Sequence, residues 1–219
     1  MLLIENVSKS FDGPNGSINI LKDINFDVPE GSSLSIVGPS GSGKTTLLGL
    51  CAGLDHVTKG RVILNNIIIS SLNEDQRAKI RNDHVGFVFQ NFQLLPTLTA
   101  LENVMVPLEL RGVRDARQRS KEIINKVGLT DRCSHFPSML SGGEQQRIAV
   151  ARAFSNNPKI LFADEPTGNL DEDNGKLIES LIFDLNQKQG ATLVIVTHNH
   201  DLASKTKHLL RIKGGRVAY

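Results

Sequence analysis

Cysteine, long apolar runs and an excess of charge of either sign are what this sequence has little of. Its two cysteines, Cys51 and Cys133, stand far apart and lack the spacing of a metal site. Both are expected as reduced, partly buried thiols of a cytosolic protein. No apolar run approaches the roughly 18 residues that a membrane-spanning helix needs. The start, Met1-Leu2-Leu3-Ile4-Glu5, has neither the basic region nor the cleavage site of a signal peptide. Lys and Arg number 25 against 23 Asp and Glu, a net charge of +2. With no dense basic run and no basic patch interleaved with aromatics, no nucleic-acid partner is expected. Internal repeats and low-complexity segments are also missing. A chain of 219 residues suits a single domain with room for an inserted lobe. It is long enough to bury about 70% of its unfolded surface.

What is there begins with Gly38-Pro39-Ser40-Gly41-Ser42-Gly43-Lys44-Thr45-Thr46, which matches G-x-x-x-x-G-K-[ST], the phosphate-binding loop. Residues 34–37 before it read as a buried strand. Leu47, Leu48, Leu50, Cys51 and Leu54 follow at helical spacing. The glycines let successive backbone N–H groups turn toward one anion, and the helix start adds partial positive charge. Lys44 is expected to reach the β- and γ-phosphates, and the Thr45 hydroxyl to ligate Mg²⁺. The motif by itself names no function, because many phosphate-loop enzymes share it.

Along the chain, residues 2–7 and 18–28 read as strands separated by the turn-rich Asp12-Gly13-Pro14-Asn15-Gly16. A further strand starts at Gly60, residues 74–81 form a polar helix, and residues 85–89 form a strand ending at Gln90. From about residue 91 to residue 157 the pattern is helical. Thr99 with Glu102, and Ser141 with Glu144, have the form of capping boxes. A helix over about 115–127 lies between them and stops at Gly128. Strands return at residues 160–163 and 192–196. The helix starting near Asp171 is expected to carry Leu177, Ile178, Leu181, Ile182 and Leu185 on one face until Gly190. Residues 209–219 read as a hairpin around Gly214-Gly215. The expected fold is an α/β phosphate-loop core with an N-terminal antiparallel β element and an inserted helical lobe. Residues 1–219 would form one domain, with the core at about 1–90 and 158–219 and the lobe at about 91–157.

Residues 160–163 lead into Asp164 and Glu165. Ligands of parallel sheets sit at the carboxyl ends of the strands. Asp164 is therefore expected to hold Mg²⁺, and Glu165 to orient or deprotonate the attacking water. Leu140-Ser141-Gly142-Gly143-Glu144-Gln145 offers a second anion site at a helix start. One nucleotide in a monomer has no need of two.

A resemblance resolves this. LSGGEQ, after a phosphate loop and before an Asp-Glu strand, resembles the signature of the ATP-binding-cassette (ABC) ATPases, and the likeness covers essentially the whole chain. It implies a RecA-like ATPase core of the ABC nucleotide-binding type that hydrolyses ATP with Mg²⁺. It also implies a homodimer paired head to tail on ATP binding, in which Ser141, Gly142, Gly143 and Glu144 of one copy cap the γ-phosphate held by the other. Gln90 matches the family's glutamine loop, which touches Mg²⁺ and the attacking water. Asn169-Leu170-Asp171 matches the loop at the dimer interface, and His198 the switch histidine. Phe11 falls where the family stacks an aromatic, usually Tyr, on adenine; Phe keeps the π face. Asn199 stands where many relatives carry Asp. His200 is expected at the surface, and the remaining histidines have no evident partner.

Two longer stretches, residues 92–104 and Ala163-Asp164-Glu165-Pro166-Thr167-Gly168-Asn169-Leu170-Asp171, are similar to the branch that drives lipoprotein release and macrolide or peptide export. That resemblance implies a bacterial ATPase peripheral on the cytoplasmic face of the inner membrane. Its partner would be an integral membrane subunit with four transmembrane helices and a large extracytoplasmic domain, driven by mechanotransmission. The alternative within the branch is an ATPase regulating cell division without transport. A guanine-reading N-K-x-D motif is missing, as are a tandem cassette and a long coiled-coil insertion. These absences speak against a GTPase and against a soluble repair or translation factor.

Overall fold

Apolar runs bounded by turn residues become strands here, and 3.6-residue stripes become helices. A computed structural model describes residues 1–13 and 16–218. Pro14 and Asn15, central to the first expected turn, and Tyr219, the end of the expected hairpin, lie outside the described residues. In chain order the elements are β1 (Leu2–Gly13), β2 (Gly16–Val28), β3 (Ser33–Val37), α1 (Lys44–Cys51), β4 (Lys59–Leu64), β5 (Ile67–Ile68), α2 (Glu74–His84), β6 (Val85–Val88), α3 (Ala100–Leu110) and α4 (Ala116–Lys126). There follow α5 (Gly142–Phe154), β7 (Ile160–Asp164), α6 (Glu172–Gln189), β8 (Thr192–Val196), α7 (His200–Ser204), β9 (His208–Lys213) and β10 (Arg216–Ala218). The chain divides into two compact units, Met1–Arg81 with Thr192–Tyr219, and Asn82–Ala191.

The first unit holds the expected antiparallel element, a sheet in the order β2-β1-β4-β5. It also holds the strand order β10-β9-β3-β8, in which β3 runs parallel to both β8 and β9. Every residue of β8 is buried, which is why it reads as an unbroken apolar run. β1 and β2 reach further than residues 7 and 18. Ser10 pairs with Asn19 and Asp12 with Ser17 in a solvated ladder that carries no apolar alternation to betray it. α1 ends at Cys51, and Leu54 lies beyond it, exposed, because Gly53 turns the chain at φ 69°. Cys51 is fully buried rather than partly so, and burial pushes its thiol pKa up. The β9–β10 hairpin turns at Gly214 and Gly215, as expected.

In the second unit β6 and β7 pair in parallel, Val85 opposite Ile160 and Val88 opposite Ala163. Around them α3, α4 and α5 share a core that includes Leu101, Val104, Ile124, Leu140 and Ile148. Both capping boxes form. Glu102 N donates to Thr99 Oγ1 at 3.3 Å and Thr99 N to Glu102 Oε2 at 2.8 Å. Glu144 N donates to Ser141 Oγ at 3.2 Å and Ser141 N to Glu144 Oε2 at 2.9 Å. On α6, Ile178, Ile182 and Leu185 are buried, but Leu177 is 41% exposed. The buried stripe is narrower than the apolar pattern, and Gly175, Glu179 and Asn186 take its remaining positions.

Asn103 on α3 is fully buried and staples the loop that leads into the helix. Its Oδ1 accepts from Leu95 N at 2.8 Å, and its Nδ2 donates to the carbonyls of Leu95, Leu98 and Thr99 at 3.0–3.1 Å. Truncation strands Leu95 N and Leu98 O, while Leu95 O and Thr99 O keep the amides of Leu98 and Asn103 as donors, and an unsatisfied buried polar group costs about 1–3 kcal/mol. We expect Asn103→Ala to lose about 2 kcal/mol in urea unfolding, and Asn103→Asp, which sets a carboxylate oxygen against three carbonyls, to lose at least as much.

Candidate functional site

The first unit positions the phosphate loop between β3 and α1. Gly43 caps α1 with φ 98°, a left-handed conformation, and a side-chain carbon there would lie 2.8 Å from Leu21 Cδ2. Lys44 Nζ donates to Gly38 O at 2.9 Å and Pro39 O at 3.0 Å, so its ammonium lies over the loop. Ser42 Oγ is buried and has no hydrogen-bond partner, the kind of orphan that a phosphate oxygen satisfies. No acidic residue occupies the first turn of α1, where Thr45 and Thr46 sit, so the partial positive charge of the helix start is not neutralised. Ser40 and Gly41 complete the loop, both exposed.

His198 follows β8 in the same unit. It lines a cavity of about 490 Å³ with Gly38, Pro39, His200 and Arg211, which brings the histidine to the loop. His200 is exposed, as expected, yet shares that cavity. Asn199 accepts from Asp201 N at 2.8 Å and Leu202 N at 3.2 Å, capping α7, a helix not anticipated from sequence. Asn thus performs the cap that Asp performs elsewhere. Phe11 lies on β1, opposite Ile18 of β2. Of the histidines without an evident partner, His56 has one: its ring lies against the Arg77 guanidinium.

The second unit gathers the other expected residues. β6 and β7 end side by side and deliver Gln90 and Asp164. Glu165 has φ 45°, an uncommon backbone conformation for a residue other than glycine, and its carbonyl accepts from Gly168 N at 3.0 Å. Gln90 and Asn169 hold each other: Gln90 Nε2 donates to Asn169 Oδ1 at 3.2 Å and Asn169 Nδ2 to Gln90 O at 3.1 Å. Asp171 caps α6, and Asn174 Nδ2 donates to Asp171 Oδ2 at 2.7 Å. The Asn174 carboxamide packs on Gly143 and would have to shift to admit a side-chain carbon there. Leu170 approaches Gly142. Ser141 is exposed at the α5 start, and its amide holds the Glu144 carboxyl below the ordinary value, with Arg132 at 3.0 Å adding to this.

Thr45, Asp164 and Gln90 offer a hydroxyl, a carboxylate and a carboxamide. Each is a hard oxygen donor of the kind that Mg²⁺ takes. Among the described residues no group of three or more His, Cys, Asp or Glu is arranged for a metal.

Two polar residues, one buried and one half-buried, escaped the sequence reading. Gln146 on α5 has no exposed surface and donates through Nε2 to Phe89 O at 3.3 Å and Pro166 O at 2.5 Å. It thereby ties the signature helix to the residue before Gln90 and the residue after Glu165. Arg152, two turns on, donates to Gln93 O at 2.6 Å and Phe92 O at 3.0 Å, clamping a pair with φ 47° and 58°. The available signal was a polar side chain on the apolar face of a helix, beside Ile148, Ala149 and Ala153.

The family model described as ABC transporter matches residues 21–168. The ABC transporter ATP-binding protein YbbA of Escherichia coli K12 is 46% identical over 216 residues, covering 98% of this chain and 95% of that protein. The lipoprotein-releasing system ATP-binding protein LolD of Bacteroides thetaiotaomicron is 46% identical over 219 residues, 99% of each chain. The dimeric post-hydrolysis structure of the ATP-binding cassette MJ0796, bound to ADP and Pi, has a TM-score of 0.93 at 41% identity and covers 100% of this chain and 97% of that one. That cassette is from Methanocaldococcus jannaschii.

Replacing Gln146 leaves the buried Pro166 carbonyl without a donor, Phe89 O keeping only the Phe92 amide at 3.3 Å, and frees the segments on either side of Gln90 and Glu165. We expect Gln146→Leu to lower the ATP hydrolysis rate more than tenfold, with ATP binding by the phosphate loop reduced far less. Steady-state turnover and nucleotide titration of the same preparation check this.

Proposed function

The chain belongs to the ABC transporter family, as one of its ATP-binding subunits, and we propose that two copies close around ATP to drive a membrane partner. The protein is an ATPase. One observation carries the two-copy reading: the chain has two helix starts suited to an anion. The one at α1 ends a phosphate loop. The one at α5 is an exposed Ser141 followed by two glycines. A single nucleotide uses the first, and a second copy of the chain gives the other a purpose. The dimeric MJ0796 cassette supports this.

In this reading residues 38–46 and Lys44 cradle the phosphates and Phe11 stacks on adenine. Thr45, Asp164 and Gln90 hold Mg²⁺, which neutralises charge on the β- and γ-phosphates when bound. Glu165 takes a proton from the water that Gln90 and His198 help to orient. The water oxygen then bonds to the γ-phosphorus as the bond to ADP breaks. Ser141, Gly142, Gly143 and Glu144 of the second copy cover the γ-phosphate, and Asn169-Leu170-Asp171 lies at the interface. Closure excludes water, so ATP binding favours the closed pair and hydrolysis releases it.

The partner would be an integral membrane subunit with four transmembrane helices and a large extracytoplasmic domain, moving lipoprotein, peptide or drug by mechanotransmission. The ATPase would sit on the cytoplasmic face of the inner membrane. The likeness to a lipoprotein-releasing ATPase supports this, and no helix among the described residues is long and apolar enough to cross a membrane. A groove of about 270 Å³ in the second unit, lined by Val85, Phe87, Phe89, Gln93, Pro107 and Arg152, fits one side of a partner's cytoplasmic helix.

Three experiments test the reading. Glu165→Gln keeps the shape of the side chain and loses the base. Its turnover should fall at least a hundredfold, and ATP should shift the protein to a dimer in size-exclusion chromatography. Tagged Glu165→Gln protein with ATP, extracted gently from its host's membranes, should bring down a four-helix membrane subunit; a soluble partner alone would overturn the transporter reading. Ser141→Arg should block closure, cutting hydrolysis more than tenfold while ATP still binds one copy. Unchanged hydrolysis counts against the shared site.

A further inference from the structure

Phe11 does not stand alone on β1. Lys9, two residues earlier, projects from the same face of the strand and is only 7% exposed, rare burial for a lysine. Its Nζ lies 4.7 Å from the centroid of the Phe11 ring. The same Nζ donates to Asp55 Oδ1 at 2.8 Å and His56 O at 2.7 Å, so the ammonium is tethered. Burial pushes the Asp55 carboxyl up, but Lys9 and the His56 amide outweigh it and hold the carboxyl below its ordinary value. The tether is itself braced. Arg77, 3% exposed, lies against the His56 ring and pairs with Glu74. Arg81 donates to Gly53 O at 2.7 Å and also pairs with Glu74. The ring therefore has a fixed, largely desolvated cation on one side, while 47% of the residue stays open.

The ring is also near the loop. Phe11 pairs with Ile18, and Ile20, about 7 Å further along β2, packs with Leu21 on Gly43. A nucleotide whose phosphates lie at residues 38–46 has its base within reach of Phe11.

We propose that Lys9 is a specificity-determining and positioning residue for the base: held under Phe11, it draws electron density toward itself and makes the open side of the ring a better platform for an electron-rich purine than for a pyrimidine. The physical basis is the ring quadrupole. An ammonium on one side polarises the π cloud, and stacking then improves with the electron density of the partner. Fixing the ring also removes an ordering cost when the base arrives. The inference rests on the reading of Phe11 as the adenine platform.

The experiment compares KM and kcat for ATP, GTP, CTP and UTP in the full-length protein. Lys9→Met should raise KM for ATP and GTP about fivefold and change UTP and CTP less than twofold, with the loss falling on KM rather than kcat. Lys9→Arg, which keeps a cation, should recover most of the purine preference. Asp55→Asn loosens the tether and leaves Lys9 in place; it should lower the purine-to-pyrimidine ratio by a smaller factor, and it carries the test should Lys9→Met fail to fold. Equal rises for purines and pyrimidines, or an unchanged ratio in both variants, would overturn the proposal. Phe11→Ala separates the two levels. If it leaves the KM for ATP unchanged, the stacking reading itself fails. If it raises that KM while Lys9→Met does not, only the role of Lys9 falls.

Discussion

The phosphate loop of the first unit depends on close approach at two glycines. A side-chain carbon on Gly38 would collide with Ile212 O of β9, and one on Gly43 would press into Ile20 and Leu21 of β2. The phosphate loop is therefore clasped from both sides, by the strand parallel to β3 and by the antiparallel sheet. The β9–β10 hairpin is fixed by the same crowding, because Gly215 lies on Ile20 and its carbonyl accepts from Lys22 N at 2.8 Å. A loop gripped in this way presents its backbone N–H groups in a set arrangement, so little ordering remains for an arriving phosphate to induce.

The second unit is held by polar groups placed where apolar ones would be expected. Asn103 closes the loop before α3, and Gln146 joins α5 to the ends of β6 and β7. Arg152 holds two left-handed residues, Phe92 and Gln93. Each is a carboxamide or guanidinium bonded to main-chain carbonyls, which specify one conformation far more narrowly than apolar contact does. The Phe92 ring in turn approaches Gly142 of the signature, 3.7 Å from a side-chain carbon placed there. The segment after Gln90 and the signature are thus parts of one packed arrangement.

Much of this was readable in advance. The glycine loop, the Asp-Glu strand, both capping boxes and the Gly214-Gly215 hairpin are local: each is specified by residues within a few positions, and each formed. The errors were equally physical. Leu177 was placed on the buried face because the periodicity of α6 is broader than the stripe it buries. The outer half of β1 and the first two residues of β2 were missed because a solvated ladder needs no apolar alternation. The short α7 depends on the single cap at Asn199.

The sequence by itself determined the chemistry: which loop takes phosphate, which carboxylates follow the strand, and which family signature opens α5. These are questions of residue type and spacing, and backbone geometry over a few residues answers them. Only the tertiary structure decided which distant polar groups meet. That Lys9 lies under Phe11, anchored by Asp55 46 residues away, or that Gln146 reaches Phe89 across 57 residues, follows from no local rule. Such pairs are set by how sheets and helices stack. A buried lysine or glutamine looks in sequence like any solvated one until the fold supplies its partner.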